Sequence, residues 1–116
     1  MILDSYFSNF ERMRLLSKIK TITAEEVKKQ LEQNKQLHLI DVREEVEVAN
    51  GMIPEAKHIP MGDIPTSLHQ LNKENEYIII CRSGNRSGNV CRFLQERGYQ
   101  VRNMVDGMLK WTGPVK

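Results

Sequence analysis

"IIICRSGNRSG", Ile78 to Gly88, is the stretch that decides the fold. Consecutive β-branched residues after Tyr77 predict a central strand, apolar on both faces as a buried parallel sheet requires. The run ends in Cys81, and "RSGN" turns directly into "NRSGNVCRFLQERG", a helical pattern with Gly98 placed as its C-terminal stop. A structural cysteine would fit better inside the apolar run; this one stands at its mouth, among arginines and glycines.

Working outward, "TAEEVKKQLEQ" opens with Thr23 and Glu26 in the spacing of a capping box, which predicts a helix from Ala24 to about Asn34. "LHLID" (Leu37 to Asp41) reads as a buried strand. "REEVEVAN" reads as a brief helix stopped by Gly51, and "KHIP" as a strand ended by Pro60. "IPTSLHQL" predicts a helix entered at Pro65, a residue tolerated in the first turn. "YQVRNM" predicts a further strand and "GMLKWTG" a short closing helix. Strands alternating with helices predict an α/β domain whose mainly parallel central sheet is flanked by helices.

At the other end, Leu3, Tyr6, Phe7, Phe10, Met13 and Leu16 recur at helical spacing, predicting an amphipathic helix over Met1 to Lys20. That helix is expected to dock on the domain or on a second copy, or to serve a membrane surface or a partner. Residues 21–116 then form one domain, and the whole chain of 116 residues is near the usual size for a single core.

Composition narrows the function. The balance of 17 basic against 15 acidic residues leaves a net charge of +2, too weak and dispersed to point to nucleic acid. Cys81 and Cys91 are no disulfide framework, and with three scattered histidines they assemble no familiar metal spacing. No metal or cofactor is therefore expected. His38, His58 and His69 read as ordinary surface or core residues. The charged N-terminus lacks the form of a signal peptide, and no apolar run reaches the roughly 18 to 20 residues of a membrane span. A cytoplasmic enzyme or binding domain is the expectation.

In a parallel sheet, ligands lie outside the carboxyl ends of the strands, where Cys81 is expected. A loop with Ser83 and Gly84 can turn several backbone N–H groups inward as an anion-binding nest, and the following helix adds its positive end. Arg82 and Arg86 bring two more charges. All favour thiolate over thiol, so Cys81 is expected to have a depressed pKa and to act as a nucleophile.

With these residues in view, "CRSGNRS" resembles the active-site loop of the rhodanese superfamily, sulfurtransferases that carry sulfur as a cysteine persulfide. "LIDVREEVEVANGMIPEAKHIPMGDI" (Leu39 to Ile64) is similar to that family's Asp-Val-Arg and Gly-x-Ile-Pro-x-Ala segment, and "VRNMVDGMLKW" (Val101 to Trp111) to its C-terminal motif. Met52 and Asp106 depart from the pattern, standing where the family usually has histidine and often has glycine. The resemblance implies a rhodanese-like single domain with Cys81 as the catalytic residue. Arg82, Ser83, Gly84, Asn85 and Arg86 form the substrate- and persulfide-binding loop. It also implies a small anionic sulfur donor (thiosulfate, a polysulfide or a persulfide) and cyanide, a small thiol or a protein thiol as acceptor.

The loop from Cys81 to Arg86 has six members. Related phosphatases and arsenate reductases use a longer loop that admits a tetrahedral anion, so the count favours sulfur over that alternative. A non-catalytic redox-sensing or interaction module is the other alternative. Asp41 is expected beside the loop, either bracing Arg86 or hydrogen-bonding the loop, or serving only as a local strand-end cap; Arg43 is expected to do structural work nearby. Cys91 is expected in the core, with a resolving thiol as the alternative.

Overall fold

The computed structural model describes residues 18–116. Five strands form one all-parallel sheet: β1 (Lys20–Ile22), β2 (His38–Asp41), β3 (Ala56–His58), β4 (Glu76–Ile80) and β5 (Gln100–Met104), in the order β1-β5-β4-β2-β3. The helices are α1 (Ala24–Glu32), α2 (Glu45–Val48) and α3 (Asn85–Glu96). This is the α/β architecture that the alternating pattern predicts.

The isoleucines of β4 explain why it is central. Side chains alternate across a strand, so Tyr77, Ile79 and Cys81 enter one apolar cluster while Ile78 and Ile80 enter the other. On the first face they meet Val90, Cys91 and Leu94 of α3; on the second they meet Val27 of α1 with Ile22, Leu39 and Met104. Ile79 and Ile80 are fully buried. Each contributes about 1.5–3 kcal/mol by leaving water.

Helix α1 begins as its capping sequence predicts, with Thr23 Oγ1 accepting from Glu26 N–H at 3.1 Å. A second cap comes from far along the chain. Asp106 Oδ1 accepts the Ala24 N–H at 2.8 Å, which gives this departure from the family pattern a structural use.

Three expectations are corrected. The Pro65 segment forms no α-helix. Its bonds Ser67 N–H to Ile64 O, Gln70 N–H to Ser67 O and Leu71 N–H to Leu68 O close three residues apart, giving a turn from Ile64 to Ser67 and a short 3₁₀ turn at Leu68–Gln70. Thr66 Oγ1 also bonds back to Asp63 O, the local competition that disfavours hydroxyl residues within helices. "GMLKWTG" likewise keeps only one 3₁₀ turn, Met108–Lys110, before Trp111 Nε1 donates to Pro114 O. The tail then pairs with the other departure, Met52 and Lys116 exchanging both backbone hydrogen bonds.

The third correction is β1. The helix predicted over Met1 to Lys20 lies outside the described residues except at its end, where Lys18 and Ile19 are irregular and Lys20 starts a strand. Ile22 is buried because β1 pairs with the open edge of β5, and three residues are too few for a periodic signal.

Candidate active site

The chain leaves β2 toward β3 on one side and leaves β4 toward β5 on the other. The carboxyl ends of β2 and β4 therefore flank a topological switch point, where open α/β sheets bind ligands. Cys81 follows β4; Asp41 ends β2, Arg43 follows it, and Glu47 lies in α2. Val42 N–H donates to Ile80 O at 2.8 Å, fastening the two strand ends together.

Cys81 is fully buried, on the floor of the loop. Its Sγ accepts from Gly84 N–H at 3.1 Å and Ser87 N–H at 3.3 Å, and lies 3.2 Å from Ser87 Oγ. Gly84 makes this wrap possible with φ of 98°, and a Cβ there would overlap the Val105 carbonyl. Gly107 does the same work opposite, at φ of 67°, where a side chain would strike Arg82 O. The residues after it bind the loop backbone, Met108 N–H to Cys81 O at 2.9 Å and Leu109 N–H to Arg82 O at 3.0 Å.

Burial pushes the Cys81 thiol up, but hydrogen bonds from the Ser87 hydroxyl and the N–H groups of Ser87, Gly84 and Ser83 outweigh it, and the pKa is lowered. The direction is the one expected, and the inward N–H groups of the loop and helix start are among the expected agents; the Ser87 hydroxyl is an addition to them. Arg82 and Asn85 are exposed, and Arg82 makes no ion pair among the described residues.

Arg86 is fully engaged. Its two terminal nitrogens grip the two carboxylate oxygens of Glu47 at 2.7 Å each, a bidentate pair from α3 to α2. The brace expected from Asp41 is thus supplied by Glu47. The Asp41 carboxylate is instead occupied by its neighbour, with Arg43 Nε at 3.0 Å and Nη2 at 2.9 Å, and Arg43 N–H at 3.0 Å. Arg43 Nη2 reaches on to Gly51 O at 2.8 Å, and Arg43 O meets His58 Nε2 at 2.7 Å. This buried pair organises the segment after β2. Its hydrogen bonds do not extend to the Cys81 loop.

Ser87, Glu47 and Asn103 are the site residues that sequence reading missed. Ser87 carries a local signal, since first-turn N–H groups of a helix have no intrahelical acceptor and face whatever anion lies before the helix. Glu47 and Asn103 arrive from other elements and carry none.

The Glu47 carboxyl is held down to about 2 from the ordinary 4.5, chiefly by the Arg86 hydrogen bonds and next by Glu44 N–H. A group lowered on folding adds stability above its unfolded pKa, which is lost as pH falls through the folded one. Wild type is therefore expected to lose stability between pH of about 4.5 and about 2. Glu47→Gln is expected to flatten that part of a pH-dependent urea titration, and an unchanged acid limb would refute it.

Cys91 behaves oppositely. It is buried on α3, and desolvation pushes its thiol up to about 12. Iodoacetamide is expected to modify Cys81 alone in the native protein, with a rate midpoint below the ordinary thiol value of 9.0. Mass mapping checks this, and labelling at Cys91 would overturn it.

Among the described residues no group of three or more His, Cys, Asp or Glu could hold a metal ion, and no helix is long and apolar enough to cross a membrane.

Comparison with known proteins agrees with this geometry. The rhodanese-like domain family model matches residues 23–114. The chain is 51% identical over 98 residues to the Bacillus subtilis protein described as "Putative sulfurtransferase YtwF", covering 84% of this chain and 95% of that one. It is 35% identical over 95 residues to a sulfurtransferase of Allochromatium vinosum, covering 81% and 89%. A rhodanese-like domain protein from Staphylococcus aureus superposes with a TM-score of 0.81 at 38% identity, covering 84% of this chain and 97% of that one. A parallel five-stranded sheet, a cysteine loop at its switch point and these likenesses converge: the chain belongs to the rhodanese-like domain family.

Proposed function

We propose that this protein is a sulfurtransferase that moves sulfane sulfur through a persulfide on Cys81. The observation carrying the reading is the sulfur atom's setting: a buried Sγ with backbone N–H donors at 3.1 and 3.3 Å, inside a loop of six residues. The likeness to proteins named as sulfurtransferases supports it.

In the first step the Cys81 thiolate attacks the outer sulfur of a donor such as thiosulfate, a polysulfide or a persulfide. A bond forms from Sγ to that sulfur, and its bond to the donor remnant breaks. The remnant (sulfite, a shortened polysulfide or a thiolate, according to the donor) leaves with the electron pair. In the second step a thiolate or cyanide attacks the outer sulfur and Cys81 leaves as thiolate. Splitting the transfer this way is nucleophilic catalysis. The first-turn N–H groups of Asn85 and Arg86 are suited to the persulfide's charge, as an oxyanion hole is to oxygen. Arg82 supplies an exposed cation for an approaching anion, whereas Arg86 acts mainly by tying α3 to α2 through Glu47.

The test is intact-mass spectrometry after brief exposure to thiosulfate or, separately, to a polysulfide. The expected result is a reducible gain of one sulfur atom on Cys81. No gain from either donor, with the thiol shown to be free, would overturn the reading, and hydrolysis of an aryl phosphate would replace it with a phosphatase.

A further inference from the structure

Ser87 Oγ lies between two partners, Cys81 Sγ at 3.2 Å and Asn103 Oδ1 at 2.5 Å. Asn103, nearly buried on β5, has its amide orientation set by its other end, where Nδ2 donates to Gly84 O at 3.0 Å. A carbonyl can only accept, so the NH₂ must face Gly84 and the oxygen must face Ser87. The neighbouring helix makes room for this arrangement, because a Cβ on Gly88 would stand 3.3 Å from that Nδ2.

A hydroxyl has one proton to give. With Cys81 as thiol, every group is satisfied: S–H donates to Ser87 Oγ, and Ser87 O–H donates to Asn103 Oδ1. With Cys81 as thiolate, two acceptors compete for the one Ser87 proton. With Cys81 as persulfide, Sγ is a bridging, uncharged sulfur and a poor acceptor, so the proton returns to Asn103. The bare thiolate alone leaves an acceptor short.

We propose that Asn103 is a positioning residue that slows discharge of a loaded Cys81: by holding the Ser87 hydroxyl proton it opposes the bare Cys81 thiolate, the leaving group of discharge, and so favours the loaded form over it. The discharge half of this rests on the persulfide reading above. The consequence is a chain biased to retain sulfur until an acceptor takes it.

The test compares Asn103→Leu, which removes the competing acceptor, with Asn103→Asp, which keeps it; both lose the bond to Gly84. The expected result is that the pH midpoint of Cys81 alkylation falls by about one unit in Asn103→Leu, a tenfold change in ionisation, and does not fall in Asn103→Asp. The persulfide of Asn103→Leu is expected to discharge to a fixed thiol roughly threefold faster, since a leaving thiol of lower pKa departs faster with a fractional dependence on that shift. If Asn103 only braced the loop through Gly84, both midpoints would rise as the N–H donors lost their aim, and the proposal would fail.

Should neither variant fold, wild type decides. The Asn103 side-chain amide resonance is expected to shift as Cys81 ionises and to return to its thiol-form position on loading. An amide unmoved by ionisation overturns the proposal. The alkylation and ionisation arms use unloaded protein, so failure of polysulfide to load Cys81 counts against the persulfide reading separately.

Discussion

Replacing Cys81 by serine is expected to abolish sulfur transfer, with turnover down at least about a thousandfold through loss of the covalent carrier. A serine hydroxyl stays protonated at neutral pH and forms no persulfide. The loop's donors would survive, so the variant is expected to fold and to keep its affinity for anions. Cys91 cannot take over. It is buried on α3, and its thiol, pushed up to about 12, is almost wholly protonated. The measurement is mass gain with a polysulfide, alongside thiosulfate-to-cyanide turnover, for wild type, Cys81→Ser and Cys91→Ser. Wild type and Cys91→Ser are expected to load one sulfur and Cys81→Ser none. Loading of Cys81→Ser would transfer the nucleophile's role to Cys91 and defeat the assignment.

Arg43→Met is expected to be the most destabilising change outside the loop, by roughly 3–5 kcal/mol, because it strands a buried charge. Asp41 is fully buried, and its carboxylate receives the Arg43 side chain and main-chain N–H. Removing the guanidinium leaves that carboxylate with one hydrogen bond and no cation, and leaves Gly51 O without its donor. For a domain whose total stability is of order 5–15 kcal/mol, this consumes a large share. Tm is expected to fall by roughly 15 °C, at several degrees per kcal/mol. Adding Asp41→Asn is expected to recover much of the loss, since a neutral amide strands no charge. Urea denaturation of the single and double variants measures both. A cost below about 1 kcal/mol for Arg43→Met, within the range of an exposed pair, would show that the carboxylate finds water.

The sequence by itself determined the sheet and the place of the candidate nucleophile. Three isoleucines ending in Cys81 specify a strand buried on both faces, and Gly84 before a helical pattern specifies the turn that wraps the sulfur. These are local matters of alternation and backbone freedom, legible over a dozen residues. The Thr23 cap and the α3 stop at Gly98 were legible for the same reason, with α3 ending at Glu96. Where local signals were weak, reading went astray. Pro65 and its hydroxyl neighbours carry apolar spacing suited to a helix, yet their backbone settles into three-residue closures. The strand β1 exists only because β5 offers it an edge.

Tertiary structure alone decided how the charges pair. Asp41 and Arg86 lie on the same edge of the sheet, and composition allows their union. The guanidinium nearest in sequence takes Asp41, leaving Arg86 to Glu47, which α2 carries across the switch point. Asn103 reaches Ser87 only because β5 is packed beside β4. Pairings of this kind depend on distance through space, and a single chain of letters records distance only along itself. The cysteine and its loop are therefore written in the sequence, and the hydrogen-bond network around them is a product of the packed sheet.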